Sequence, residues 1–241
     1  MTSDFTDKKI LVVGGSSGIG RQVVEDLLSA GAEVWVWARR DMDDLAAKGA
    51  EVAQIDVTAS FAEDAPELPE SLDGLVYAPG SIELAPFQKL SPETFRSEYE
   101  LNVVGAVRVL QYALGSLTAG EGSSVVLFST VATARGMNFH ASIAAAKSGV
   151  EGLALSLAAE LAPKKVRFNV VAPSLTDTPL AEKLLSSDKR REASAERHPL
   201  KRVGETRDIA AAVLYLLSPG SSWVTGQRIG VDGGLSMLSG V

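Results

Sequence analysis

The chain of 241 residues has no cysteine, only two histidines and no long apolar run. Without thiols it cannot form disulfides or thiolate metal sites, which is compatible with a cytoplasmic location. Two histidines, His140 and His198, argue against a histidine-based metal centre, so we expect no metal. No segment approaches the roughly 20 apolar residues of a membrane span. The first residues, MTSDFTDKK, lack the apolar region of a signal peptide. We therefore expect a cytoplasmic protein without a membrane partner.

A dense basic tract is also missing. The formal charge is −7, and contacts with nucleic-acid phosphates need clustered lysine and arginine, so we expect no nucleic-acid partner. Hydrophobic residues make up 46% and charged residues 22%, which is typical of a globular protein. With no linker, internal repeat or low-complexity tract, the sequence predicts one domain over residues 1–241.

Short apolar, β-branched runs recur along the chain, and helical segments separate them. The predicted helices include a long one over residues 91–117, with Ser91 as its N-cap and Pro92 in its first turn, and the segment TRDIAAAVLYLL (206–217). The predicted strands are KILVVGG (9–15), EVWVWA (33–38), EVAQIDV (51–57), DGLVYAPG (73–80), SSVVLFST (123–130), KVRFNVVAP (165–173) and IGVDGG (229–234). Strands that alternate with helices indicate a parallel sheet covered on both faces. The sequence therefore predicts an α/β Rossmann fold with a doubly wound, seven-stranded parallel sheet.

A glycine-rich loop, VVGGSSGIG, follows the first predicted strand and opens the first helix. Gly14, Gly18 and Gly20 have the spacing G-x-x-x-G-x-G. Such a turn needs residues that tolerate positive φ, and absent side chains let the backbone approach a pyrophosphate at the helix N-terminus. A plain glycine turn is the alternative, but the strand–loop–helix context favours a dinucleotide site. The other predicted cofactor contacts from this loop are Ser16, Ser17 and Ile19.

The end of the second strand indicates which dinucleotide binds. An acidic residue there would bond the ribose 2′-hydroxyl and repel a 2′-phosphate. This strand ends instead in Ala38, followed by Arg39 and Arg40, and a guanidinium can bind phosphate through two N–H groups. The arginines alternatively just end the strand on the surface. We predict NADP(H), with NAD(H) less favoured.

The glycine loop resembles that of the short-chain dehydrogenase/reductase family, except that Val13 replaces its usual threonine. The segments IDVT, LNVVGA, NVVAPSLTDTPL and VTGQRIGVDGG extend the resemblance over essentially the whole chain. In YAPG, only the last residue matches the family's usual Asn-Asn-Ala-Gly. The resemblance implies cofactor contacts from Asp56, Val57, Gly80 and Thr178, with the threonine on the nicotinamide carboxamide.

The family's chemistry uses a serine, a tyrosine and a lysine, assisted by an asparagine. The resemblance assigns the lysine role to Lys147, which also binds the cofactor ribose, the serine position to Thr130, and the asparagine of the proton relay to Asn102. The tyrosine position, four residues before the lysine in NFHASIAAAKSG, is Ile143, which has no proton to give.

His140 is the candidate substitute for that tyrosine. It lies three residues before Ile143 and seven before Lys147, so the three share one face if the helix already includes His140. In the enoyl-thioester reductase branch of the family, the tyrosine also lies seven residues before the lysine, although that branch has a different glycine motif. An imidazole is a competent general acid. Alternatively, the segment GMNFH is loop and His140 caps the helix or bonds the backbone. The sequence also leaves Tyr77 and Tyr99 open as pocket residues.

The leading prediction is an NADP(H)-dependent oxidoreductase that interconverts a carbonyl compound and an alcohol. One alternative is a nucleotide-binding homologue without redox activity, in a regulatory or structural role. A second alternative is an enoyl-type reductase with His140 in the tyrosine role. The expected partners are a small-molecule substrate and further copies of the chain, as a homodimer or homotetramer.

Overall fold

The computed structural model describes residues 4–61 and 65–238. Its strands form a single seven-stranded sheet in the order β3-β2-β1-β4-β5-β6-β7, and every neighbouring pair is parallel. The strands are β1 (Lys9–Val13), β2 (Glu33–Ala38), β3 (Glu51–Gln54), β4 (Gly74–Tyr77), β5 (Ser123–Phe128), β6 (Val166–Pro173) and β7 (Arg228–Val231). The predicted Rossmann fold is confirmed.

Helices cover both faces of this sheet. Within the described residues, the α-helices are α1 (Gly18–Ser29), α2 (Asp43–Ala46), α3 (Pro92–Tyr99), α4 (Gly105–Ala119), α5 (Ala141–Leu161), α6 (Asp188–Glu196) and α7 (Thr206–Leu217). Side chains alternate between faces along a strand. In β1, Leu11 and Val13 pack with α4 and α5, whereas Ile10 and Val12 pack with α1 and α7. Burial on both faces explains why the central strands β1, β4 and β5 are largely apolar rather than alternating.

Five of the seven strands end earlier than the sequence predicted, whereas β2 and β6 end at the predicted residues Ala38 and Pro173. After β1 the chain turns at Gly14, whose φ is +82°. After β4 it reaches Pro79, which has no N–H to donate to a neighbouring strand. The residues predicted as strand ends therefore form loops. Because all strands are parallel, these loops gather at one edge of the sheet, where α/β folds bind their ligands.

The long helix predicted from Ser91 begins there but is interrupted. The Ser91 hydroxyl accepts a capping bond from the Thr94 N–H, and the wider turn of a π-helix spans Glu100–Val104 between α3 and α4. A Cβ on Gly105 would lie 2.5 Å from the Tyr77 hydroxyl of β4, so only glycine permits this close approach. π-helical turns are frequent at functional sites, and this one contains Asn102.

Candidate functional site

The glycine loop approaches two other loops of the same sheet edge. A Cβ on Gly14 would lie 2.8 Å from the backbone nitrogen of Pro79, and a Cβ on Gly18 would lie 3.4 Å from Thr178 Cγ2. Gly18 also has a positive φ of +57°, and Gly20 packs against the carbonyl of Gly14 too closely for any side chain. The structure therefore brings the glycine loop, the end of β4 and Thr178 together around one space.

The start of α1 offers free donors to that space. Ser17 is the N-cap residue but its side chain makes no capping bond, and neither Ser16 nor Ser17 donates a side-chain hydrogen bond to another described residue. The N–H groups of the first helical turn have no partners within the helix and favour an anion. Ile19 lines the adjacent cavity. These features fit a dinucleotide pyrophosphate.

Two exposed arginines follow β2. Neither Arg39 nor Arg40 forms an ion pair within the described part of the chain, and the carbonyl of Arg39 accepts a hydrogen bond from Gln54 Nε2 at 2.7 Å.

Beyond β3, Asp56 Oδ1 accepts bonds from the Thr58 hydroxyl at 2.7 Å and from its N–H at 2.9 Å. These bonds, the hydroxyl's first, lower the pKa of Asp56. The neighbouring side chain of Val57 is buried.

A cavity of about 300 Å³ opens beside the glycine loop. Its wall is formed by the end of β4, the loop after β5, the start of α5 and the segment after β6. The predicted site residues on its wall are Ile19, Gly80, Thr130, His140, Lys147 and Thr178. The rest of the wall is mostly apolar, and no aspartate or glutamate of the described residues lines it. The cavity can therefore hold an apolar molecule that presents one polar group to the threonine and the lysine.

Lys147 is buried on α5, with 7% of its surface exposed. Burial lowers the pKa of its ammonium to about 8, and the negative charge of Glu98 acts in the opposite direction. Within the described residues, nothing accepts a hydrogen bond from Nζ. The ammonium is thus a charged donor without a protein acceptor, next to the cavity.

No tyrosine of the described residues lines this cavity, whereas Ile143 does. Tyr77 is buried under the π-helical turn, where its hydroxyl donates to the Leu101 carbonyl at 2.6 Å. Burial also raises the pKa of Tyr77 far above its usual range. Tyr99 is 49% exposed, and its ring lies against Gly149. Tyr77 and Tyr99, which the sequence left open as pocket residues, therefore lie outside the lining of this cavity.

His140 lines the cavity from a loop rather than from a helix. It is the N-cap residue of α5, because Phe139 before it has a φ of +70° and prevents the helix from starting earlier. Its Nδ1 lies 2.6 Å from the carbonyl oxygen of Asn138. The condition for a shared helical face with Ile143 and Lys147 therefore fails, yet the imidazole still reaches the same cavity.

Comparison with known proteins identifies the family. A protein-family model described as Enoyl-(Acyl carrier protein) reductase matches residues 13–236. A tropinone reductase homologue of Arabidopsis thaliana is 33% identical over an alignment of 241 positions. The alignment covers 94% of this chain and 92% of the homologue. The structure of a short-chain type dehydrogenase/reductase from Mycobacterium ulcerans matches with a TM-score of 0.89 and 32% identity, over 98% of this chain and 92% of that one. The chain belongs to the short-chain dehydrogenase/reductase family.

This short-chain dehydrogenase/reductase is similar to proteins named as oxidoreductases. A structure from Beutenbergia cavernae that contains bound NADP at low occupancy matches with a TM-score of 0.87 and 27% identity, over 96% of this chain and 98% of that one. No helix of the described residues is both long and apolar enough to cross a membrane. Those residues also contain no cluster of three or more potential metal ligands.

Sequence reasoning missed a polar cluster that supports Thr130. The Thr130 hydroxyl accepts a bond from the Ala132 N–H at 3.3 Å, and its carbonyl accepts one from Arg228 Nη2 at 3.0 Å. Arg228 also pairs with Glu151 at 2.8 Å, and Glu151 accepts further bonds from the hydroxyls of Ser129 and Thr133. Because Arg228 lies on β7, far along the chain, no local signal could have found this cluster.

Sequence reasoning also missed the buried acid Glu98. Asn102 is fully buried beside it, and its Nδ2 donates to the Glu98 backbone carbonyl at 2.8 Å and to Glu98 Oε2 at 3.1 Å. A signal did exist, since the two residues are four apart in a predicted helix and share a face.

Proposed function

We propose that the protein is an NADP(H)-dependent oxidoreductase that interconverts a carbonyl compound and an alcohol by hydride transfer. One observation carries the proposal: the Lys147 ammonium and the Thr130 hydroxyl line a mostly apolar cavity that adjoins the glycine loop. The membership of an oxidoreductase family supports it.

The chain offers a complete set of residues for the cofactor. The glycine loop and the first turn of α1 suit the pyrophosphate, and Arg39 and Arg40 suit a 2′-phosphate because neither forms an ion pair with a described acid. Asp56, Val57 and Gly80 are proposed to contact the adenosine and nicotinamide halves, Thr178 the carboxamide, and Lys147 the ribose. When bound, the nicotinamide would supply or accept the hydride.

The protein's own groups then orient the carbonyl and supply its proton. The Thr130 hydroxyl donates to the substrate oxygen, and the Lys147 ammonium stabilises the negative charge that develops there. Ile143 replaces the family's tyrosine and shapes the wall. His140 is the proposed proton donor. When Nδ1–H bonds the Asn138 carbonyl, the other nitrogen, Nε2, carries a proton only in the imidazolium form, so the donor must be charged.

The test combines turnover with binding. NADPH oxidation is followed by absorbance with a panel of apolar ketones and aldehydes, and NADPH affinity is measured by calorimetry on the same preparation. We expect turnover of at least one carbonyl compound. NADPH binding without turnover of any carbonyl or enoyl substrate would reject the proposed activity.

That outcome would favour a nucleotide-binding homologue without redox activity. The observation behind this second candidate is Ile143, which is buried at 6% exposure on the cavity wall and has no proton to give. If the helix is a scaffold that lacks its acid, Ile143→Tyr alone should create carbonyl reduction.

An enoyl-type reductase with His140 in the tyrosine role is the third candidate. The position of His140 on the cavity wall and the description of the matching family model favour it. Including short enoyl thioesters in the substrate panel separates it from a carbonyl reductase.

A further inference from the structure

Glu98 is a carboxylate at the back of the site, and only 3% of its surface is exposed. It lies in the last turn of α3, which packs against α5 and therefore against the helix that carries Lys147. A glutamate is rarely this buried unless it is hydrogen-bonded or paired with a positive charge, because an ionised carboxylate loses much hydration free energy on burial. Its surroundings supply hydrogen bonds, and the charge of Glu98 acts on Lys147 without a direct ion pair.

Two side chains donate to this carboxylate. The hydroxyl of Ser81, which lines the cavity, donates to Glu98 Oε2 at 2.5 Å, and Asn102 Nδ2 donates to the same oxygen at 3.1 Å. The orientation of the Asn102 amide follows from chemistry, since both partners of Nδ2 are oxygen acceptors. Its Oδ1 is consequently turned away from Glu98, buried and without a hydrogen-bond partner among the described residues.

That unpaired oxygen and the Lys147 ammonium flank the same glycine. A Cβ on Gly80 would lie 3.8 Å from Lys147 Nζ and 3.9 Å from Asn102 Oδ1. Glu98 and Lys147 form no direct ion pair, so the carboxylate acts on the ammonium through space and through the orientation of Asn102.

The other ionisable groups that line the cavity beside Lys147 are basic. His140, at the start of α5, and Arg197, after α6, line the same cavity, and no described acid does. Burial is the cause that lowers the pKa of Lys147. Glu98 is the one described acid whose charge is found to favour the ammonium.

We propose that Glu98 is a positioning residue of the site, which keeps Lys147 charged and holds the Ser81 hydroxyl and the Asn102 amide in fixed orientations along the cavity wall. Only the tests that measure turnover rest on the proposed function. The charge state of Lys147 in the cofactor-free protein tests it separately.

The direct test measures the pKa of Lys147 in the full chain without cofactor. Trace acetic anhydride labels amines in proportion to their neutral fraction, and peptide mapping by mass spectrometry reports Lys147 as a function of pH. Glu98→Gln keeps the shape and hydrogen-bonding capacity of the side chain but removes its charge. We expect the Lys147 pKa to fall by about one pH unit or more. Glu98→Asp, which retains the charge, should keep most of the original value.

Glu93→Gln is the matched control, because it removes the same charge from an exposed position of α3. It should leave the Lys147 pKa unchanged. An unchanged pKa in Glu98→Gln, or an equal fall in Glu93→Gln, would overturn the proposal.

A second measurement does not depend on whether Glu98→Gln folds. Lys147→Met leaves the buried Glu98 carboxylate without a nearby positive charge, which costs more stability when the carboxylate is ionised than when it is protonated. The folded protein then binds more protons than the unfolded chain, and stability falls as pH increases. The thermal midpoint of Lys147→Met relative to the unaltered protein should therefore decrease from about pH 4 to pH 7. A constant difference over this range would contradict the proposal.

Turnover distinguishes this inference from the proposed function. In an active enzyme, the high-pH loss of kcat should move to lower pH in Glu98→Gln and stay in place in Glu93→Gln. If no substrate is turned over but the Lys147 pKa falls as expected, the proposed function fails and the role of Glu98 stands. If turnover occurs and the pKa does not move, the reverse holds.

Discussion

Lys147 and Ile143 lie one helical turn apart on α5 and line the same cavity, but only the lysine carries charge. In an active reductase, Lys147→Ala should reduce kcat/KM by about 10²-fold or more, since it removes a charged donor aimed at the developing oxyanion. Ile143→Ala, made in parallel, should stay within about tenfold, because a shortened apolar side chain changes only the fit of the substrate. Steady-state NADPH oxidation measures both. A larger loss in Ile143→Ala would remove the lysine from its proposed role.

His140 decides the source of the proton. If it is the donor, His140→Phe should lower the reduction rate by roughly 10²–10⁴-fold while NADPH affinity changes little. Ile143→Tyr in the same background should restore part of the rate, because a phenol at that position lies on the same wall as Lys147. Single-turnover rates and calorimetric affinities report the two effects. An unchanged rate in His140→Phe would exclude the histidine as donor.

At the residue level, sequence reasoning identified the groups whose position follows from a local motif. The glycine loop and Lys147 are examples, since each belongs to a continuous segment. It placed His140 near Lys147 by assuming that the helix already includes His140. The structure places His140 just before α5 instead, because Phe139 has a positive φ that the residue pattern does not reveal. It overlooked Glu98, whose importance appears only when α3 packs on α5.

Among the elements, α7 has the best-defined start. Glu205 and Asp208 form a reciprocal capping box, and Arg202 donates to the Asp208 carboxylate at 2.5 and 2.8 Å. Mainly through the Arg202 bond, the pKa of Asp208 falls to about 2. Because this pKa is depressed in the folded state, its contribution to stability is present above about pH 4 and is lost as pH falls toward 2.

Asp208→Ala should therefore lower the free energy of unfolding by about 1 kcal/mol at pH 7, a value typical of caps that are partly exposed. The deficit should shrink below pH 4 and nearly vanish at pH 2. Urea denaturation at several pH values measures it. Asp188→Ala, in the first turn of α6, is the control and should change stability by less than about 0.5 kcal/mol. A deficit independent of pH would contradict the assigned cause.

The end of β2 makes cofactor preference testable. Ala38 is the last residue of the strand, and Arg39 and Arg40 follow it at the surface. The unaltered protein should bind NADPH more tightly than NADH, and Ala38→Asp should reverse the order because a carboxylate bonds the ribose 2′-hydroxyl and repels a 2′-phosphate. Titration with both nucleotides measures this. Equal affinities in the unaltered protein would refute the preference.

The elements themselves were more predictable than their ends. The helix at Thr206–Leu217 and the strand Glu33–Ala38 match the predicted segments, since apolar pattern and flanking residues agree there. The π-helical turn at Glu100–Val104 was not predicted, because the residue pattern there is that of a continuous helix and does not show the close approach of Gly105 to Tyr77.

For the whole molecule, the placement of the site follows from the topology rather than from cavity size. A larger cavity, of about 580 Å³, lies near Trp223 at the opposite edge of the sheet, where the strands begin. Neither the glycine loop nor Lys147 reaches that edge. Parallel strands direct their carboxyl ends, and the loops that carry polar groups, to a single edge, and that edge holds the smaller cavity.

The surface of the helices beside the sheet predicts self-association. Tyr99, Leu114 and Leu155 on α3, α4 and α5 are 49%, 40% and 62% exposed. Burying them against another copy would remove apolar area from water. Light scattering at micromolar concentration should give a homodimer or homotetramer, and Leu155→Asp should reduce the mass. Leu200→Asp, at an exposed leucine outside these helices, should not. A monomeric unaltered protein would contradict this prediction.

The bond from Arg228 to the Thr130 carbonyl joins positions 98 residues apart in the chain. During synthesis the ribosome releases the loop of Thr130 long before Arg228 has been added. The Thr130 loop lacks one of its hydrogen-bond donors until β7 joins the sheet. The wall of the cavity at Thr130 is therefore complete only in a chain that includes β7, and a product that stops before β7 would carry the glycine loop without the Arg228 bond.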